Sequence, residues 1–205
     1  MLVQNRGCIN FLHNFNISNM QNMILVFAYL IGSIPTAYWI GKYFFNIDIR
    51  KLGSNNSGTT NALRIMGLES AIIVFIVDVL KGFIATHICI STSLILTSVF
   101  ILIGHIFPIW SVFHGGKGVA TLFGIVLAIA PILVIPLICI FLMTLISTKY
   151  VSLSNILASM SLPILVSIFN LTELLYFSIL MPVIILLTHK NNIKRLINCN
   201  ENTIY

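Results

Sequence analysis

Charge is scarce in this sequence. Of its 205 residues only 8% are Asp, Glu, Lys or Arg, and only five are acidic. A soluble domain needs far more charge than that to cover its surface. Cysteine is equally thin: Cys8, Cys89, Cys139 and Cys199 stand apart, with no CxxC spacing and no histidine cluster. That excludes a disulfide framework and a zinc site, and leaves the cysteines as small apolar fillers. No internal repeat or low-complexity tract is present, which weighs against an inverted-repeat transporter. The first 22 residues lack the continuous apolar run and small-residue cleavage site of a signal peptide. They are expected to be a polar extension, either disordered or the product of a start codon placed upstream of Met20 or Met23.

What the chain has in excess is apolar sequence: 58% hydrophobic residues, with a mean hydropathy of +1.03. This is the composition of an integral membrane protein, and the length leaves no room for a separate soluble domain. Residues 23–189 are expected to form one multi-span domain and residues 190–205 a cytoplasmic tail. Apolar windows fall at 23–44, 67–90, 93–113, 118–147, 153–169 and 172–188. The fourth would make a helix of about 45 Å at 1.5 Å per residue, longer than one crossing needs, and it carries Pro131 and Pro136. The distribution of basic residues decides between one kinked span and a hairpin turning at Pro131–Pro136. With a hairpin, Lys42, Arg50, Lys51, Arg64, Lys117, Lys149, Lys190, Lys194 and Arg195 all fall on one side. With a single crossing that asymmetry collapses. The expected fold is therefore all-α with seven transmembrane helices, the N-terminus outside and the C-terminus cytoplasmic. Each hairpin arm, near 14 residues, is short for a full crossing.

That topology gathers three polar segments on the cytoplasmic face. The first, DIRKLGSNNSGTTNALR, is a run of Gly, Ser, Asn and Thr framed by Arg50, Lys51 and Arg64, an inventory suited to phosphate. The second, HGGKGVAT, puts Gly115, Gly116, Lys117 and Gly118 directly before a helix, where free amide groups and a lysine make an anion site. It is not a Walker loop, because Gly118 follows the lysine and no strand precedes it. The third, THKNNIKRL, places His189, Asn192 and Arg195 near the end of the last span, with His189 a candidate base or phosphate partner. Lys190 and Lys194 read as interfacial anchors. In KYVSLS, Ser152 offers one further hydrogen bond. Inside the membrane Asp78 and Lys81 stand three residues apart, and a lone charge there costs about 3 kcal/mol, so an ion pair facing the bundle interior is expected. His87 and His105 read as helix-packing histidines, and Trp39 and Trp110 as interfacial residues.

Taken in order, GSIPTAYWIGK, DIRKLGSNNSGTTNALRIMG, DVLKG, GHIFPIW with GGKGVAT, TKYVSLS and HKNNIKRL closely resemble the bacterial membrane glycerol-3-phosphate acyltransferase family that uses acyl phosphate as donor. The resemblance covers nearly everything from Ile31 to Glu201. It implies acyl transfer to the 1-hydroxyl of sn-glycerol 3-phosphate in phospholipid synthesis, and a seven-helix fold in the bacterial cytoplasmic membrane with the active site facing the cytoplasm. The family's first motif lands on Arg50, Gly53, Ser54, Asn56, Gly58, Thr60, Asn61 and Arg64, its second on Gly115–Gly118, and its third on His189, Asn192 and Glu201. The residues expected to act in catalysis are Arg50, Ser54, Asn56, Lys117, Ser152, His189 and Asn192. Those expected to bind substrate are Asn61, Arg64, Gly115, Gly116, Gly118 and Arg195. Lys117 with its glycine amides would grip glycerol 3-phosphate; Arg50, Ser54 and Ser152 would hold the acyl phosphate; His189 with Asn192 would orient or deprotonate the hydroxyl. A substrate phosphate oxygen is the other candidate base. The chain departs from the family at Asn55, Ser57, Asn155 and Cys199, and Asn55 is expected to accept a left-handed backbone.

No cofactor, metal or nucleic acid is expected. The expected partners are glycerol 3-phosphate, long-chain acyl phosphate, membrane lipid and, as a protein contact, the enzyme that makes the acyl phosphate. The rival reading is an organic-phosphate or anion transporter, which would place polar groups at the bilayer midplane.

Overall fold

In lipid every backbone polar group must find its partner within the chain, which favours helices. A computed structural model describes residues 20–88 and 93–204, and these are helical with no strand among the described residues. Cys8, Cys89, Arg6 and most of the expected N-terminal extension lie outside the described residues. Met20 to Asn22 open the first helix.

Helices α1 (Met20–Gly32) and α2 (Thr36–Phe44) meet at a 41° bend. Pro35 causes it, because it has no N–H to donate back along the helix. The window expected at 67–90 begins earlier: α3 runs Thr59–Ile88, with a kink at Gly67 (φ 83°, ψ 179°). Its first two turns are therefore polar sequence that hydropathy alone leaves out. Helix α4 (Leu94–Ile106) is shorter than the expected 93–113, since Pro108 follows and the chain turns through left-handed Val112 and Phe113.

The long fourth window is two helices, α5 (Val119–Ile129) and α6 (Val134–Thr148), divided at Ala130 by a 3-10 turn over Pro131–Leu133. The expected break is present, but Pro136 lies in the first turn of α6, where its missing N–H would have had no partner anyway. The arms are unequal. The 11 residues of α5 span about 16 Å, whereas the apolar segment Pro131–Thr148 has 18 residues. Helices α7 (Val151–Met160) and α8 (Leu162–Ile168) continue one another around Ser161. The last span, α9 (Leu175–Thr188), bends by 66° into α10 (Lys190–Ile197). Among the described residues, four helices are long and apolar enough to cross a membrane, or six if each bent pair is one span, with α5 shorter.

Two packed pairs organise the bundle: α3 lies along α5, and α6 along α7. The first pair approaches closely because of Gly82 and Gly124. A side chain at Gly82 would strike the Thr121 carbonyl, and one at Gly124 the Val79 carbonyl. Beside this crossing sits the buried charge expected from DVLKG. Lys81 Nζ lies 2.7 Å from Asp78 Oδ1 and donates to the Ile34 carbonyl at 3.0 Å, so α3 is pinned to the break between α1 and α2. His87 packs against Phe83 with the rings tilted by 51°.

Removing one member of a buried pair strands the other's charge, at a cost of about 3–5 kcal/mol. Asp78→Ala should therefore lower the thermal midpoint in detergent strongly, while Asp78→Ala with Lys81→Met should recover most of the loss. Equal instability of the single and double variants would contradict this account.

Candidate functional site

Between the two helix pairs lies a cavity of about 650 Å³. One end is polar, lined by Ser54, Asn56, Arg64, Lys117, Ser152, Asn192, Glu201 and Asn202; the other is apolar, with Phe75, Phe123, Val126, Leu137, Phe141 and Leu162. Three loops and the C-terminal tail build the polar end.

The first loop is held by its own side chains. Asp48 accepts hydrogen bonds from Arg50 Nε (2.8 Å), a terminal nitrogen (2.8 Å) and the Arg50 amide (3.1 Å). The other terminal nitrogen of Arg50 donates to the Ser111 carbonyl at 2.6 Å, and the guanidinium lies 4.3 Å from the Tyr38 ring centroid. Its bond to Arg50 holds the Asp48 carboxyl below its ordinary pKa, and raises that of Arg50 in turn. Buried Asn61 does similar work: its Oδ1 accepts from the Ser54 amide, and its Nδ2 donates to the Ile49 and Leu52 carbonyls. Asn55 is left-handed (φ 57°), as expected. The structure thus places Arg50 outside the cavity lining and occupies the Asn61 amide within the loop. Ser54 and Asn56 do face the cavity, and their side chains have no protein hydrogen bond among the described residues.

The glycine loop corrects the expectation of a cradle of free amides. Gly115 N–H donates to the Ile106 carbonyl and Gly116 N–H to that of His105, each at 3.1 Å. Neither glycine lines the main cavity. A side chain at Gly116 would strike the His105 ring, so this glycine serves close packing. Lys117, Gly118 and the first turn of α5 at Val119 and Ala120 do reach the cavity, and the first amides of a helix have no intrahelical acceptor. His105 brackets this turn, with its carbonyl on Gly116 and its Nδ1 3.1 Å from Thr121 Oγ1.

The tail closes the site. Glu201 Oε1 accepts from Asn192 Nδ2 (2.7 Å) and Ser152 Oγ (3.1 Å), and Oε2 accepts from Arg195 Nε (2.7 Å). Asn192 Oδ1 takes the Lys117 ammonium at 2.5 Å, and Thr188 donates to the Lys117 carbonyl. Arg64 reaches the Asn202 and Thr203 carbonyls. Burial lowers the Lys117 pKa to about 8, with Glu201 opposing and Arg195 and Arg64 adding to the fall. Burial also works on Glu201, but bonds from Arg195, Asn192 and Ser152 hold its carboxyl below the ordinary value.

His189 is wholly buried and does not line the cavity. Its Nδ1 is 2.8 Å from the Ile185 carbonyl, which makes it the protonated nitrogen of a neutral ring and leaves Nε2 buried without a partner. Burial, with the Lys117 charge adding, lowers its pKa to about 4. Arg195 touches the site through Glu201 alone and stands off the lining. Sequence reasoning placed Glu201 in the third motif without a function, read Asp78 and His105 as structural and noted Asn155 only as a departure from the family, yet all four line the cavity. For Glu201 the signal was its rarity, one of five acidic residues, placed just after a basic helix.

The family described as Glycerol-3-phosphate acyltransferase matches residues 22–199. The chain is 42% identical over 190 residues to a glycerol-3-phosphate acyltransferase of Listeria welshimeri, covering 88% of this chain and 96% of that one. It is 41% identical over 189 residues to glycerol-3-phosphate acyltransferase 2 of Bacillus anthracis, covering 90% and 100%. Among solved structures it is similar to PlsY (YgiH), an integral membrane glycerol 3-phosphate acyltransferase. The glycerol 3-phosphate form matches with TM-score 0.84 and 32% identity, and the lysophosphatidic acid form with TM-score 0.81 and 31% identity; each match covers 90% of this chain and 95% of that one.

Glu201→Ala removes the acceptor that joins α7 to the tail. Trypsin in detergent should then cut at Lys190, Lys194 and Arg195 markedly faster than in the unaltered protein. An unchanged rate would show that Glu201 does not hold α10 in place.

Proposed function

The chain belongs to the glycerol-3-phosphate acyltransferase family, and on that premise we propose that it transfers a fatty acyl group from acyl phosphate to the 1-hydroxyl of sn-glycerol 3-phosphate. The products are 1-acyl-sn-glycerol 3-phosphate, a lysophosphatidic acid, and inorganic phosphate. The observation that carries this reading is the single cavity with a cationic polar mouth and an apolar depth, suited to one aqueous and one lipidic substrate.

An acyl phosphate is already activated and phosphate leaves readily, so catalysis here is positioning and charge neutralisation. Lys117 and the free first-turn amides of α5 bind the phosphate of glycerol 3-phosphate. Ser54, Asn56, Ser152 and Arg64 receive the acyl phosphate, and Asn192 orients Lys117. Arg50, Asn61, Gly115, Gly116 and Arg195 support these groups from behind. The hydroxyl oxygen attacks the acyl carbon, the bond from that carbon to the phosphate oxygen breaks, and the hydroxyl proton passes to the departing phosphate. The placement of His189, neutral and off the cavity wall, supports that route over one through the imidazole.

Seven spans, counting α5 as a short one, put Lys117 and α10 on the cytoplasmic side of a bacterial inner membrane, with the N-terminus outside. The exposed Phe107, Ile109, Trp110 and Phe113 then rest at the lipid interface beside the site. The enzyme that makes the acyl phosphate is a fitting neighbour on that face.

Protein purified in detergent should release phosphate only when palmitoyl phosphate and glycerol 3-phosphate are both present. Turnover with acyl-CoA or acyl carrier protein thioesters alone, or transport without release, would overturn the reading. The value of kcat/KM for glycerol 3-phosphate should fall as pH rises through about 8, because the ammonium of Lys117 is the form that binds phosphate. Lys117→Arg should move that limb out of the measured range, and Lys117→Ala should cost about 100-fold or more at every pH.

A further inference from the structure

Helix α7 presents Ser152, Asn155, Ser159 and, across the junction with α8, Leu162 to the cavity, the three- and four-residue spacing of one helical face. Along that face the character changes from polar to apolar. Ser152 is tied to Glu201 at the mouth, and Leu162 lies at the apolar end with Val126 and Leu137. Asn155 stands between them, about 4.5 Å beyond Ser152 at 1.5 Å per residue.

The other polar side chains of this stretch are satisfied by their own helix: Ser154 donates to the Tyr150 carbonyl and Ser159 to that of Ile156. The Asn155 amide has no protein hydrogen bond among the described residues, yet it opens into the cavity. Asn155 is half-buried, and its amide is free to donate to a ligand group that enters the cavity beside it. Ser54, Asn56, Arg64, Lys117 and the start of α5 supply further donors at the mouth, and Thr59 at the start of α3 adds a hydroxyl without a protein partner.

We propose that Asn155 is a catalytic residue whose Nδ2–H donates to the acyl carbonyl oxygen, stabilising the negative charge that develops there during transfer. This rests on the reading of the cavity as an acyltransferase site. A substrate with its phosphate at the mouth and its tail among Phe123, Leu137 and Leu162 sets its carbonyl at the level where polar lining gives way to apolar. As the hydroxyl oxygen bonds to the acyl carbon, the carbonyl π electrons move onto its oxygen, which the Asn155 donor holds. They return when the bond to phosphate breaks, and the phosphate leaves with the hydroxyl proton.

The test compares the unaltered protein with Asn155→Ala and Asn155→Ser in detergent, using palmitoyl phosphate and glycerol 3-phosphate. Loss of one such donor costs about 100-fold to 1,000-fold in kcat. Asn155→Ala should show that loss with KM for glycerol 3-phosphate unchanged, and Asn155→Ser, which keeps a shorter donor, should fall between. The infrared carbonyl stretch of bound lysophosphatidic acid carrying a 13C-labelled ester should lie lower in the unaltered protein than in either variant. A kcat for Asn155→Ala within threefold of the unaltered protein, a loss confined to KM for glycerol 3-phosphate, or an unshifted carbonyl stretch would overturn the proposal. Absence of phosphate release from the unaltered protein would instead overturn the acyltransferase reading, while the carbonyl shift would still report on Asn155.

Discussion

The mouth of the cavity depends on one carboxylate. Glu201 accepts from Ser152 on α7 and from Asn192 and Arg195 on α10, and Asn192 passes the connection on to the Lys117 ammonium. Without that acceptor, Lys117, Arg195 and Arg64 would face one another across a partly dry space, where like charges repel more strongly than in water. One carboxylate among three cations leaves the mouth positive. That residual charge suits a pair of anionic substrates which would otherwise repel each other. The same contacts make the C-terminal tail part of the site rather than an appendage.

The lipid setting explains the shape around this network. Helices in lipid associate through close packing rather than hydrophobic exclusion, and small residues let them approach. Gly82 and Gly124 bring α3 against α5, and α6 packs on α7, but the two pairs remain apart and the cavity lies between them. The buried Asp78–Lys81 pair fixes α3 to the break at Ile34, and His105 fixes the glycine loop to the first turn of α5. The groups that would meet substrate are thus set by buried polar contacts beneath them.

Much of this was legible in the sequence, for reasons that differ by residue. Hydropathy located the helical regions and the break at Pro131, because proline and apolar runs act locally. The Asp78–Lys81 pair followed from helical spacing and the cost of a lone charge in lipid, and the backbone of Asn55 from its residue type. What could not be read was which polar group each side chain meets. Arg50 looks like a phosphate clamp until Asp48 and Ser111 occupy it. Gly115 and Gly116 look like an anion cradle until the Ile106 and His105 carbonyls take their amides. His189 looks like a base until burial removes it from the cavity wall. Glu201 and Asn155 gained their places only when the tail and α7 were seen on the same cavity. These are long-range pairings, and no local pattern encodes them.

The central claim is that Lys117 and the start of α5 hold a phosphate at the mouth of the cavity. Its most direct test is an experimental structure of this protein with glycerol 3-phosphate bound. The account predicts phosphate oxygens within hydrogen-bond reach of Lys117 Nζ and the first-turn amides of α5. A phosphate seated against Arg50 and Ser111, or outside the cavity with Lys117 still bonded only to Asn192, would contradict it.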